Sequence, residues 1–152
     1  MRLSQNLSPE LVLIGPAVAD RDELLRLFGS VFEESGLVDS GSVVVRGLLE
    51  REKILSTGIG GGVAVPHAQI AGLGRLVMAA STHPSGIRYP ALDSEPVRLV
   101  FCLIGDSNTA ADHLAGLARL ARLARRHDAL EELISAKTGE EFLAVLARLE
   151  GE

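Results

Sequence analysis

The chain has 152 residues and a formal net charge of −5, with 47% hydrophobic but only 3% aromatic residues. That length suits a single domain, residues 1–152, burying about 70% of the surface its unfolded form exposes around an aliphatic core. The acidic balance argues against a nucleic-acid partner, no apolar run reaches the ~20 residues of a membrane span, and the N-terminus lacks a secretory pattern, so a cytoplasmic protein without direct membrane insertion is expected.

Residues 11–14 form a short apolar run closed by Gly15 and Pro16, which predicts a first strand. Asp20 stands where a helix N-cap belongs, with Glu23 three residues on. Leu24, Leu27, Phe28, Val31 and Phe32 then recur at helical spacing up to a C-terminal stop at Gly36. Ser42 is a candidate cap for a second helix over 43–51, which would place Arg51 in its last turn.

Gly58, Gly60, Gly61 and Gly62 crowd together before the apolar run 63–65, a predicted buried strand. Pro66 cannot donate to a ladder, so that strand is expected to end there, with His67 projecting from its end beside a glycine loop. Residues 76–82 predict another strand, followed by a turn at His83–Gly86. Residues 87–89 and 97–104 read as an antiparallel pair. The single Cys102 lies in the latter run as a small buried hydrophobe, with no internal disulfide to form. A helix is expected from Thr109, with Leu114, Leu117, Leu120, Ala121 and Ala124 as its apolar stripe. Helices over 129–135 and 139–149 follow, the last capped by Thr138 with Glu141 at the box position. Adjacent hairpin strands among alternating helices predict an α/β chain with a mixed, parallel and antiparallel sheet flanked by helices.

The run from Arg51-Glu52 through Ser56-Thr57-Gly58-Ile59-Gly60 to Ala64-Val65-Pro66-His67 resembles the signature of enzyme IIA domains of the bacterial phosphoenolpyruvate-dependent phosphotransferase system, in the fructose/mannitol/nitrogen-regulatory class. A second segment, Gly105 to His113-Leu114, resembles the family's loop leading to a His-Leu pair that opens a long helix. Two positions depart from the usual pattern: Gly61 stands where asparagine is common, and Ala68 where glycine is common. The resemblance implies a phosphotransferase with a phosphohistidine intermediate: His67 is the phosphoacceptor, His113 supports it, and Arg51 pairs with the phosphoryl charge. It implies the histidine-containing phosphocarrier protein as donor, and an enzyme IIB or a regulated protein downstream.

Taken without the resemblance, a guanidinium at a helix end and a first-turn histidine at a helix N-terminus are a reasonable phosphate environment. Rival readings of the glycine run do not fit. It lacks the Lys and Ser/Thr that end a P-loop, and it precedes a strand where the dinucleotide fingerprint follows one. No histidine or cysteine spacing suggests a metal site, so neither metal nor cofactor is expected. His83 and His127 read as solvated turn residues. The alternative function is a regulatory protein-binding module that no longer transfers phosphate.

Overall fold

The computed structural model describes residues 1–151. Its strands are β1 (Val12–Ile14), β2 (Gly58–Gly60), β3 (Val63–Ala64), β4 (His67–Gln69), β5 (Val77–Ile87) and β6 (Val97–Gly105). Its helices are α1 (Arg21–Glu34), α2 (Gly41–Ile54), α3 (Ala110–Leu123), α4 (His127–Ile134) and α5 (Gly139–Gly151). The sheet runs β1-β5-β6-β3-β2, with β4 also on β6. β1–β5, β3–β6 and β4–β6 are parallel pairs, whereas β5–β6 and β2–β3 are antiparallel. The mixed sheet flanked by helices is the architecture expected. β6 is buried along nearly its whole length without alternation, as a central strand covered on both faces should be.

Helix boundaries follow their caps. Asp20 Oδ1 accepts the Glu23 N–H at 3.0 Å, as expected, and Thr138 Oγ1 accepts that of Glu141 at 3.1 Å. α2 differs: its cap is Ser40, whose Oγ accepts the Val43 N–H, not Ser42. The helix therefore starts earlier and runs on to Ile54, through three valines of poor helix propensity, because Val44 and Leu48 are wholly buried. α3 is preceded by a 3₁₀ turn over Ser107–Thr109, capped by Asp106. That cap sets the helix rotation, so its buried face is His113, Gly116 and Leu120, while Leu114 is 69% exposed and Ala121 is also exposed. The expected stripe thus holds at Leu120, and in part at Leu117 and Ala124, but fails at Leu114 and Ala121.

One strand expectation and one histidine expectation are also corrected. His83–Gly86 is not a turn between strands but a bulge inside β5. Thr82 pairs with Leu99 and Ile87 with Val97, and the intervening residues swell out with Gly86 at φ +81°. His83 is consequently buried, not solvated, and its Nε2 lies 2.7 Å from the Ser81 hydroxyl, two residues back on the same face. His127 is exposed at the start of α4, as expected. Cys102 is buried, which pushes its thiol pKa up.

Burial alone drives the His83 pKa down, to about 4. The unfolded chain, with an ordinary histidine near 6.5, then binds the proton first as pH falls. Unfolding free energy should drop between pH 6.5 and 4, by up to about 1.4 kcal/mol per pH unit from this group. Urea titrations of wild type and His83→Gln across that window should show the slope reduced in the variant.

Candidate active site

His67 does not project from a strand end. β3 and β4 pair with β6 in one unbroken register: Val63 with Leu99 and Ala64 with Val100, then His67 with Leu103 and Ala68 with Ile104. Pro66 interrupts the strand assignment without ending the alignment, since its carbonyl still accepts the Leu103 N–H at 3.0 Å. Val65 meanwhile turns away from β6. Its N–H donates to the Thr57 carbonyl at 2.9 Å, and its own carbonyl lies 2.8 Å from His67 Nδ1. A carbonyl can only accept, so Nδ1 carries the proton and Nε2 keeps the lone pair.

The imidazole is half-buried in a cleft of about 580 Å³, whose lining includes Gly47, Arg51, Ile54, Gln69 and His113. Arg51, in the last turn of α2, donates from Nη1 to the Leu55 carbonyl at 2.8 Å, which folds its side chain over the helix end. His113 comes from the first turns of α3. Its ring meets that of His67 edge-on, with centroids 5.3 Å apart and planes at 67°. His113 is 9% exposed, and its Nδ1 is buried with no hydrogen-bond partner. Gly105 borders that nitrogen and makes room for the Thr109 hydroxyl: a Cβ there would lie in ordinary contact with His113 Nδ1 at 3.6 Å but only 2.4 Å from the hydroxyl. All three residues singled out in the sequence therefore share one cleft.

The glycine run does not. Gly60, Gly61 and Gly62, with φ of +91°, +66° and +82°, form the β2–β3 turn at the far end of the strand. The extended path from Gly62 to His67 covers roughly 16 Å. The turn is fastened there by the Asp93 carboxylate, which accepts the Gly61 N–H at 3.0 Å, and it packs near the C-terminal end of α3 at the Ala124 carbonyl. The expectation of a glycine loop beside His67 is overturned, because the hairpin lies at the start of β3 and the extended chain then carries His67 away from it. Both departures from the usual pattern have local causes. A positive φ at 61 admits asparagine or glycine alike. Ala68, buried, faces Gly47 of α2, where a side chain would crowd its Cβ at 3.3 Å.

Sequence reasoning missed a buried polar knot behind the cleft. The Glu52 side chain is 1% exposed, and its Oε1 accepts hydrogen bonds from the Tyr89 hydroxyl at 2.8 Å and from the Thr57 hydroxyl. The Thr57 N–H donates to Oε2 at 3.3 Å, and Arg21 Nη1 stands 3.7 Å from the same oxygen. A signal was present: Val44, Leu48 and Glu52 are spaced i, i+4, i+8, so a carboxylate falls on the apolar stripe of α2. Burial pushes the Tyr89 pKa up, reinforced by the Glu52 charge.

Burial also lowers the His67 pKa. The Val65 hydrogen bond opposes that shift, the Arg51 charge adds to it, and Glu52 opposes it again. His113 is lowered by burial, then by His67. Both rings are therefore neutral at pH 7. Among the described residues no group of three or more His, Cys, Asp or Glu side chains converges as for a metal ion, and no helix is long and apolar enough to cross a membrane.

A mixed sheet flanked by helices in this order is the fold of solved phosphotransferase-system IIA proteins. The family model described as "Phosphoenolpyruvate-dependent sugar phosphotransferase system, EIIA 2" matches residues 5–149, and the chain belongs to that family. It is similar to the nitrogen regulatory protein of Bradyrhizobium diazoefficiens, 32% identical over 148 residues that cover 97% of this chain and 95% of the relative. It is also similar to the fructose-specific EIIA component of Haloferax volcanii, 28% identical over 140 residues, or 92% and 91% of the two chains. The crystal structure of the nitrogen regulatory protein IIA-Ntr from Neisseria meningitidis superimposes with a TM-score of 0.87 at 29% identity, covering 95% of this chain and 98% of that one.

Nitrogen-15 NMR should find both rings titrating below pH 6.5, His67 with its proton on Nδ1. Because the Arg51 charge holds the His67 pKa down, Arg51→Gln should move the His67 midpoint upward.

Proposed function

We propose that the protein is a phosphocarrier in which His67 Nε2 attacks the phosphorus of a phosphohistidine on the histidine-containing phosphocarrier protein. The N–P bond to the donor imidazole breaks as the new bond to Nε2 forms, and the electron pair returns to the donor ring. The observation that carries this reading is the His67 Nδ1–Val65 bond, which commits the other nitrogen to the cleft shared with Arg51 and His113. Transfer between two imidazoles needs in-line approach and charge stabilisation more than proton movement. The Arg51 guanidinium pairs with the phosphoryl oxygens. The His113 nitrogen not enclosed with Gly105 is the one left to meet those oxygens.

A donor protein must reach the cleft, and the surface around it suits one. Ile54 and Leu55, 79% and 60% exposed, follow Arg51 along the chain, and Leu114 follows His113. Large exposed aliphatic side chains around a polar centre mark a protein contact. Downstream, the group passes to an enzyme IIB or remains as a signal read by a regulated protein. The extent of similarity to the two nitrogen regulatory proteins favours the regulatory outcome. Loss of phosphotransfer is the less favoured reading, because the three site residues are all retained in one cleft.

Incubation with phosphoenolpyruvate, enzyme I and the carrier protein tests the proposal. Wild type should gain one acid-labile, alkali-stable phosphoryl group, and His67→Ala none while remaining folded. Arg51→Lys should keep part of the rate, and Arg51→Gln less. Full labelling of His67→Ala would sink the assignment, and an unchanged rate in Arg51→Gln would remove Arg51 from it.

A further inference from the structure

We propose that Glu52 is the positioning residue of this site, setting through Thr57 the peptide that holds the His67 imidazole. The inference rests on the phosphocarrier reading for its functional consequence but not for its geometry.

The connection is continuous. Tyr89 donates to Glu52 Oε1, and the Thr57 hydroxyl and N–H both donate to the same carboxylate. The Thr57 carbonyl accepts the Val65 N–H at 2.9 Å, and the Val65 carbonyl accepts His67 Nδ1–H at 2.8 Å. Each link fixes the next, because Val65, at an alternate position of the strand, turns its N–H away from β6 and onto the Thr57 carbonyl. β6 cannot position it, and Thr57 does. Glu52 also follows Arg51 directly in the last turn of α2. While Arg51 closes over the turn onto the Leu55 carbonyl, Glu52 secures the far side of that turn at Thr57. One buried carboxylate thereby ties together the element bearing the guanidinium and the strand bearing the imidazole.

A core role alone would not require this chemistry. The carboxylate occupies the position where Val44 and Leu48 continue an apolar stripe, and burying a charge there is costly unless it is paired. Its partners are Thr57, Tyr89 and Arg21, and Tyr89 and Arg21 bring β5's following segment and the start of α1 into the same knot.

The test uses the intact protein in two readouts. Nitrogen-15 NMR of the unphosphorylated chain reports the His67 tautomer and needs no donor, so it is independent of whether phosphotransfer occurs. Phosphotransfer kinetics then separate kcat from the KM for the phosphorylated carrier protein. Glu52→Gln leaves only one acceptor oxygen where three donors converge. It should shift His67 away from the pure Nδ1–H tautomer and lower kcat about ten-fold or more, the scale of small misplacements of reacting groups, with KM little changed. Thr57→Val removes the hydroxyl at nearly constant shape and should do the same more weakly, whereas Thr57→Ser should restore wild-type values. The Thr57 pair decides the matter should Glu52→Gln not fold. A wild-type tautomer and wild-type kcat in folded Glu52→Gln, or in Thr57→Val, would overturn the proposal. A tautomer shift in the variants with no phosphotransfer even in wild type would keep the positioning and reject the phosphocarrier reading.

Discussion

The backbone of Val65 serves two partners at once, Thr57 through its N–H and the His67 ring through its carbonyl. On the antiparallel β2 side Thr57 lies opposite Val65 and accepts its N–H, but the Thr57 N–H that would return the bond to the Val65 carbonyl goes to Glu52 Oε2 instead. That vacant acceptor is what the His67 ring takes up. The constraint comes from Pro66 as much as from Val65. Pro66 faces β6 and brings no N–H to that ladder, but its carbonyl accepts the Leu103 N–H and keeps the alignment, so the histidine is delivered at a fixed height on the sheet. A histidine on a loop would have to lose side-chain entropy on meeting its partner. Here much of that loss has been taken on folding.

The second element of the site depends on the same sheet from the other side. β6 ends at Gly105, the Asp106 cap follows at once, and α3 begins with His113 turned inward. Since β4 pairs with the last residues of β6, a strand and the helix that follows its neighbour bring two histidines together though the chain separates them widely. Two imidazoles held below their usual pKa by burial share a half-buried cleft with the Arg51 guanidinium, and Lys53 and Glu50 also line it.

Much of this was legible in the residues. Asp20 and Thr138 named their helices because an N-cap works through its own side chain and needs no tertiary help. His67, Arg51 and His113 were legible through their motif. Their grouping was not readable from spacing, because it depends on β4 pairing with β6 across a long separation. The glycine run misled in geometry: its composition correctly announced backbone with positive φ, but hairpin direction decided where that backbone went. Leu114 misled similarly, since a leucine at helical spacing reads as core until the capping residue fixes the helix rotation. Glu52 was overlooked because a charged residue in a last turn ordinarily faces water. Only its place on the stripe of Val44 and Leu48 betrays it, and removing one partner of such a buried charge typically costs about 3–5 kcal/mol.

The central claim is that the Val65 carbonyl, by holding Nδ1, leaves Nε2 as the nitrogen that bonds phosphorus. Phosphorus-31 and nitrogen-15 NMR of the phosphorylated protein, labelled in its histidines, reads that bond directly. The account predicts phosphorus coupled to Nε2 of His67 alone, with Nδ1 still protonated. Phosphorus on Nδ1 of His67, or on any other residue, would contradict it.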